Sequence, residues 1–152
     1  ALTTNQVKVL TTANIVALNT AQVAALSTDQ VSALTTAQVH AIATDDVQAL
    51  TTSAIAALSS SQLQSLSNVA VAALTTDQVA ALTTSQVPKL TTSEVASLTT
   101  SQVVALNTDQ VQSLQVSQLV AMSDAQVNAL TTTQIGALTN TQLLGLVTAA
   151  KP

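Results

Sequence analysis

Residues 74–81 read L-T-T-D-Q-V-A-A, and Leu82 opens the next copy of the same pattern. The eight-residue unit L-[TSN]-T-x-Q-[VIL]-x-A, which we call the octad, runs from residue 1 to about residue 146 without a break in register. Self-similarity at a fixed period is the sequence signature of a repeat architecture. The octad is therefore the unit from which the fold has to be derived.

Each octad carries a complete start signal for a helix. Thr75 is a natural N-cap, and Gln78 can bond back to the amide of the cap residue, which together make a capping box. Leu74 before the cap and Val79 at the fourth helical position can form a hydrophobic staple. The pattern predicts a helix of about six residues in every octad, because the next cap follows so soon.

The charged residues support this interpretation independently. A helix favours anions in its first turn and cations in its last turn. Lys8 and Lys89 fall in the last turn of their octads. All seven acidic residues fall on the first three helical positions: Asp29, Asp45, Asp46, Asp77, Glu94, Asp109 and Asp124.

A single octad cannot fold alone. Burying one Leu and one Val contributes roughly 3–6 kcal/mol, whereas ordering eight residues costs on the order of 8–16 kcal/mol of backbone entropy. The octads must therefore stack, and we predict an all-α solenoid of very short capped helices, one per octad, over residues 1–152 as a single continuous unit. The rival is a β-solenoid, in which Leu and Val would point to opposite faces and could not share a core.

Helical geometry predicts how the octads stack. At 100° per residue, Leu82 and Gln78 face the interior, Val79 and Ala81 lie on the two flanks, and Ala80 faces outward. We expect Val flanks to pack against Ala flanks of the next superhelical turn around an axis lined by Leu. A helix of six residues is about 9 Å long and forms one side of the superhelical turn. Three such sides enclose too little room for the inward leucines, so we expect roughly four octads per turn.

Several octads depart from the pattern. Ala43 removes a cap, which could shift the helix start by one residue, and Gln115 and Val116 replace both hydroxyl residues. Ala54 and Ala70 remove the glutamine of the box. Pro88 removes an amide donor inside a helix, so we expect a bend or a wider spacing of turns near residues 88–90. After Leu146 the pattern fades, and we expect a frayed end there.

The composition excludes several classes of function. The chain has 152 residues, 7% of them charged, no aromatic residue, no Cys, and a formal net charge of −4. Three lysines and no arginine argue against binding to nucleic acid or to anionic membranes. No apolar stretch is long enough to span a bilayer. The start in mid-register and the abrupt end at Lys151 and Pro152 suggest a piece of a longer array.

Two resemblances follow from these residues. Residues 34–43, L-T-T-A-Q-V-H-A-I-A, resemble the opening helix of transcription-activator-like effector repeats, whose units begin L-T-P-x-Q-V-V-A-I-A. There a base-reading loop and a second helix follow, whereas here residues 44–47 start another short helix, so DNA reading is not expected. Over nearly its whole length the chain resembles the L-T-T-x-Q-V octapeptide stretches of large, repetitive bacterial proteins of surface or adhesin type. That resemblance implies a spacer or an interaction surface, outside the cell or on its surface.

We find no catalytic, cofactor-binding or metal-binding residues in the sequence and do not expect an enzyme. His40 is the one histidine, with no Cys or second His to complete a metal site. Asp45, Asp77 and Asp109 recur at every fourth octad and would form a column if four octads made a turn, but helix-start acids explain them.

The sequence therefore predicts a structural stalk or spacer whose partners are its own neighbouring repeats. Two alternatives remain: a scaffold that binds other proteins through the outward positions, and an ice-binding surface built on the second hydroxyl position (Thr4, Thr12, Thr20, Thr28, Thr36).

Overall fold

The computed structural model describes residues 2–149, with side chains through residue 148, and this part of the chain is helical without any strand. One helix forms in each octad but one. The helices are α1 Thr4–Lys8, α2 Thr12–Val16, α3 Thr20–Ala24, α4 Thr28–Ala33, α5 Thr36–His40, α6 Thr44–Val47, α7 Thr52–Ala57, α8 Ser60–Leu63, α9 Asn68–Ala73, α10 Thr76–Ala80, α11 Thr92–Ser97, α12 Thr100–Ala105, α13 Thr108–Ser113, α14 Val116–Val120, α15 Asp124–Ala129, α16 Thr132–Ala137 and α17 Asn140–Ala149. A 3₁₀ turn, Val87–Lys89, replaces the helix of the octad between α10 and α11.

The capping chemistry predicted from the sequence is confirmed. In α10 the Thr75 hydroxyl accepts from the Gln78 amide N–H at 3.1 Å, and Gln78 Oε1 accepts from the Thr75 N–H at 2.8 Å. Each of the helices α1–α16 is preceded by an extended cap residue, as at Thr75 with φ −70° and ψ 158°. Between α4 and α5, for example, Leu34 and Thr35 are both extended, with φ −61° and ψ 144° and with φ −75° and ψ 161°. Such links change the direction of the chain, so the helices form the edges of a superhelix.

Contacts between helices lie three octads apart: α1 contacts α4, α4 contacts α7, and α12 contacts α15. Glutamine side chains reach slightly further along the chain. Gln78 Nε2 donates to the carbonyls of Val47 and Leu50, which lie 31 and 28 residues earlier. One superhelical turn, which we call a coil, therefore takes between three and four octads. The structure is the all-α solenoid of short helices that the octad predicts.

The core is a continuous apolar column along the superhelix. Residues at the Leu position line its interior, as Leu82 does with 4% of its surface exposed. Residues at the Val position are buried even more completely, and Val79 is 0% exposed. The sequence predicted that Val lies on a flank that packs against the next coil, and in the interior of the structure the Val position is the most deeply buried of the octad. Ala81 on the other flank is half-buried.

The spacing between coils does not widen at Pro88, contrary to the expectation from the sequence. Gln118 Nε2 donates to the carbonyls of Val87 at 2.9 Å and Leu90 at 2.7 Å, on either side of the proline. Gln102 makes the equivalent bonds at 3.0 and 2.7 Å. Proline removes a donor and tightens the local helix into a 3₁₀ turn, but it leaves the carbonyls that contact the next coil in place.

Two further expectations are wrong in detail. The helix start does not shift at Ala43: α6 begins at Thr44 with no side chain capping it. Bonds to both adjacent coils hold α6, from the Thr20 hydroxyl to Asp46 and from the Gln78 amide to the Val47 carbonyl. The chain also remains helical after Leu146, since α17 continues to Ala149, and residues 150–152 lie outside the described part. No helix in the described residues is long and apolar enough to cross a membrane.

Candidate functional site

The most specific chemical feature of the structure is the glutamine of the octad. Its side chain is buried in every interior coil, and Gln78, Gln102 and Gln118 are each 2% exposed. A buried amide group needs a partner for its oxygen and for both of its N–H groups. The structure provides all of these partners from two different coils.

The oxygen of this amide serves its own helix. In α12, Gln102 Oε1 accepts from the Thr99 N–H at 2.7 Å. Gln102 Nε2 serves the preceding coil and donates to the carbonyls of Val71 at 3.0 Å and Leu74 at 2.7 Å. The Val71 carbonyl also accepts from the Leu74 N–H at 3.2 Å. Leu74 itself follows the last residue of α9, where intrahelical partners for the carbonyls run out. One side chain thus caps the start of one helix and the end of another.

We call this repeated arrangement the glutamine ladder. It comprises Gln38, Gln62, Gln78, Gln86, Gln102, Gln110, Gln118, Gln126, Gln134 and Gln142, each of which donates to carbonyls of the preceding coil. The capping half of this role was predicted from the sequence, and the half that joins coils was not. The signal was present, because helical geometry already turned the glutamine inward, where its amide needs further partners.

Glu94 occupies a ladder position with the wrong chemistry. Its Oε2 accepts from the Thr91 N–H at 2.6 Å, as a glutamine oxygen would. Its Oε1 is buried and has no hydrogen-bond partner among the described residues. The ladder spacing of 31 and 28 residues places the carbonyls of Leu63 and Leu66 where the missing amide would donate. The Glu94 Oε1 atom, an acceptor, therefore lies where the other ladder positions have the Nε2 donor of a glutamine.

Other ladder positions show what the fold tolerates. Ala54 and Ala70 keep the hydroxyl half of the cap, because Thr51 and Ser67 accept from their amides at 3.1 Å. Asp46 is buried and accepts from the Thr20 hydroxyl of an earlier coil at 2.7 Å, so its carboxylate has a donor that Glu94 Oε1 lacks.

The polar residues singled out in the sequence do not come together. His40 Nδ1 lies 2.7 Å from the Ser65 carbonyl, in the adjacent coil. In residues 2–149 no group of three or more His, Asp and Glu side chains is close enough to hold a metal ion. A spacing of four octads also exceeds one coil, so Asp45, Asp77 and Asp109 are displaced around the superhelix from one to the next.

The first coil opens into a cavity of about 250 Å³ at the N-terminal end of the superhelix. Leu2, Leu10, Leu18, Leu26 and Leu34 line it together with Val7 and Ile15. The lining shows directly that the leucines surround the axis, as the sequence predicted. Gln22 and Gln30 are polar groups at its wall.

Comparison with known proteins places this architecture in a family. No curated protein and no solved structure matches the chain significantly. The sequence profile of the ALTTAQ repeat matches five overlapping segments in tandem, residues 14–42, 39–69, 62–92, 89–116 and 113–140. Each segment is 28 to 31 residues long, about one coil of the superhelix. These segments together cover most of the chain, and the chain therefore belongs to the ALTTAQ repeat family.

Proposed function

We propose that this chain is a structural spacer, a stiff rod that holds other parts of a larger assembly at a fixed separation. The observation that carries the proposal is the glutamine ladder, which joins each coil to the one before it along the whole core. Every such bond runs between neighbouring coils, so the structure can grow in length without changing in cross-section. The proposal assigns no reaction and no cofactor to the chain.

Small-angle scattering tests the rod directly. The described residues form eighteen helical elements, which at three to four per coil make about five coils, and helices pack about 8–10 Å apart, so the rod should be about 50 Å long. We expect an asymmetric pair-distance distribution. Its maximum should lie at the short distances of the cross-section, and its tail should extend to the length of the rod. A symmetric distribution typical of a sphere would contradict the spacer proposal.

A binding scaffold is the second candidate, and exposed apolar side chains favour it. Val16, Val104 and Val120 all occupy the outward position of their octads and are exposed. Val104 and Val120 lie two octads apart, about half a coil, so a partner that contacts both has to wrap around the rod. Single exposed apolar residues are common on proteins, whereas an apolar position that recurs on a rigid rod can bind such a partner. Affinity capture with the wild-type chain and a Val16→Ser, Val104→Ser, Val120→Ser variant would test this. A partner retained equally by both would contradict binding through these residues.

The threonines of the second hydroxyl position carry the third candidate, ice binding. Thr20, Thr28 and Thr36 are exposed at the first helical position of α3, α4 and α5. Successive octads lie about a quarter of a coil apart, so these threonines follow the superhelix around the rod. Repeated hydroxyl and methyl groups on a rigid rod could order water. Thermal hysteresis of a concentrated solution measures this activity, and its absence would remove the candidate.

We also propose that the chain works outside the cell or on its surface, as part of a large repetitive bacterial protein of adhesin type. The support is compositional: few charges, no Cys and abundant Thr, Ser, Asn and Gln. Fractionation of cells that make the native protein, followed by detection with an antibody, is the test. Recovery in the cytosolic fraction alone would contradict this location.

A further inference from the structure

Two junctions between successive coils in the middle of the rod lack the glutamine that joins other coils. At an intact junction a glutamine such as Gln102 donates to carbonyls 31 and 28 residues earlier, an arrangement that we call a rung. Ala70, which is 4% exposed, has no amide group with which to form a rung. Glu94, which is 2% exposed, presents a carboxylate oxygen that has no hydrogen-bond partner in residues 2–149. These two junctions therefore depend on other contacts.

His40 bridges the junction at Ala70 from the outside of the rod. It is exposed and lies between Val39 and Ile42, whose carbonyls a glutamine at position 70 would bind. Its Nδ1 atom lies 2.7 Å from the carbonyl of Ser65, in the coil that carries Ala70. A carbonyl can only accept, so Nδ1 carries the proton and donates it. The one histidine of the chain therefore joins two coils that have no rung at this point.

Gln64 repeats the arrangement one coil further along. It is exposed and lies 30 residues before Glu94. Its Nε2 atom donates to the carbonyl of Lys89, 25 residues later, and 25 residues also separate His40 from Ser65. Because Gln64 and Ser65 are adjacent in the chain, the two bonds follow one another along the outer surface of the rod. We call His40 and Gln64 the straps.

Outward glutamines beside an intact rung make no such bond. Gln48 and Gln112 occupy the same position of the octad as the straps, and both are exposed. The carbonyls of the coil that carries Gln48 accept from the Gln78 rung, and the Leu114 carbonyl near Gln112 accepts from the Gln142 rung. Neither outward amide donates to another coil in the described part of the chain. The straps thus coincide with missing rungs.

Two further outward residues are consistent with this rule. Ser32 lies beside an intact rung. Its hydroxyl has one proton, which the Thr28 carbonyl of its own helix accepts at 2.8 Å, whereas the Ala57 carbonyl of the next coil lies at 3.3 Å. Ala54 also lacks the amide of a rung, but the outward residue 30 positions earlier is Ala24, which has no donor. A strap requires both a missing rung and an outward donor.

We propose that His40 and Gln64 hold closed, from the outside, two junctions that lack a buried rung, so that the rod opens at these junctions once the straps are released. A rung is buried and joins one amide to two or more carbonyls. A strap is a single exposed bond, for which water competes. The strapped junctions should therefore open before the junctions that have a rung. This order of opening is independent of the role that the rod serves.

Thiol labelling with N-ethylmaleimide measures the opening of each junction, because the chain has no cysteine of its own. Val39→Cys places a thiol at a strapped junction, and Val47→Cys places one at the junction that the Gln78 rung holds. Both valines are 0% exposed, so each thiol reacts only when its surroundings open. Each rate is divided by the rate of the same variant unfolded in urea, which removes differences in intrinsic reactivity.

We expect the thiol at position 39 to react faster than the thiol at position 47. His40→Ala should raise the rate at position 39 about fivefold, as expected for one hydrogen bond, and leave the rate at position 47 unchanged. The matched control Gln48→Ala should change neither rate. Ala70→Gln supplies the missing rung and should slow the reaction at position 39 by about tenfold or more.

Equal rates at the two positions in the otherwise unchanged chain overturn the proposal, because the opening would then be global. The proposal also fails if His40→Ala leaves the rate at position 39 unchanged or raises both rates equally. Gln64→Ala with a thiol in place of Leu63 repeats the test at the second junction, with the same outcomes. That pair replaces the first if the Val39→Cys chain does not keep the wild-type circular dichroism.

Discussion

At the scale of single residues, the Gln102 amide shows how the octad stabilises two coils at once. Its oxygen accepts from the Thr99 N–H, and its nitrogen donates to the Val71 and Leu74 carbonyls. The first bond joins residues three apart and was predicted from the sequence alone. That the inward-facing nitrogen needs partners follows from the sequence, but which carbonyls it meets could not be predicted, because that depends on the length of the coil, which no local pattern encodes.

Gln102→Ala should lower the free energy of unfolding by about 2–4 kcal/mol, since it leaves the Thr99 N–H and the Leu74 carbonyl unpaired and removes one of the two donors to the Val71 carbonyl. Urea denaturation followed by circular dichroism measures the change. Native-state hydrogen exchange then shows whether protection is lost at the two coils that Gln102 joins. The matched control is Gln112→Ala, an exposed outward residue, which should change stability by no more than about 0.5 kcal/mol. Equal effects of the two substitutions would contradict the ladder as a source of stability.

Glu94→Gln should raise the free energy of unfolding by about 1–3 kcal/mol, the usual penalty of an unsatisfied buried polar group. The new amide would donate toward the Leu63 and Leu66 carbonyls, and its oxygen would keep the bond from the Thr91 N–H. The control is Asp77→Asn, an exposed first-turn acid whose loss should destabilise the helix by about 0.3–1 kcal/mol. Thermal melting of both variants at neutral pH is sufficient. A Glu94→Gln variant no more stable than the wild type would contradict this account of the Oε1 atom.

At the scale of elements, the structure follows the sequence closely wherever the octad is intact. Helix starts, caps and buried positions were predicted because each depends on neighbours within one octad. The errors arise at the irregular octads. The helix start stays in place at Ala43, and the spacing of coils stays constant at Pro88, since the Gln118 bonds to Val87 and Leu90 retain their lengths. Contacts with adjacent coils outweigh a defect in one short helix.

Pro88→Ala should convert the 3₁₀ turn into a helix like α11, where Ala96 occupies the same position of the octad. The regained amide donor should raise the melting temperature and the helical circular dichroism signal. The free energy of unfolding should rise by about 1–2 kcal/mol. This is less than the full cost of an interior proline, because proline also restricts the unfolded chain. The reciprocal variant Ala96→Pro should destabilise α11 by about 3 kcal/mol. If Ala96→Pro were neutral, proline would be compatible with the octad helix and the 3₁₀ turn would need another cause.

At the scale of the whole molecule, the sequence predicted a solenoid but only approximated its coil. We expected roughly four octads per turn, from the room that leucines need. The structure gives between three and four, because the helices contact each other three octads apart while the glutamines reach 28 to 31 residues back. The room that the leucines need sets the approximate number of octads per coil. The ladder makes that number non-integral, because each glutamine amide donates to carbonyls of two successive octads of the preceding coil.

Duplicating residues 51–106 inserts seven octads, about two coils, and should lengthen the rod by about 20 Å without changing its cross-section, given a helix spacing of about 8–10 Å. Small-angle scattering of the two proteins measures the maximum dimension and the cross-sectional radius separately. Duplicating residues 51–102 instead, which breaks the octad register by half a unit, is the control and should reduce cooperative unfolding. Growth of the cross-section in the seven-octad variant would contradict the solenoid as a one-dimensional structure.

The ladder bonds also determine how the molecule responds to a pull on its two ends. Each Nε2–carbonyl bond joins one coil to the next, so tension along the axis acts on the coils in series, and the weakest junction opens first. A fully stretched chain of this length measures about 500 Å at about 3.4 Å per residue. The rod can therefore lengthen about tenfold by opening coil after coil, and because the repeat unit is short, each opened coil can reform its capping bonds when the load is released.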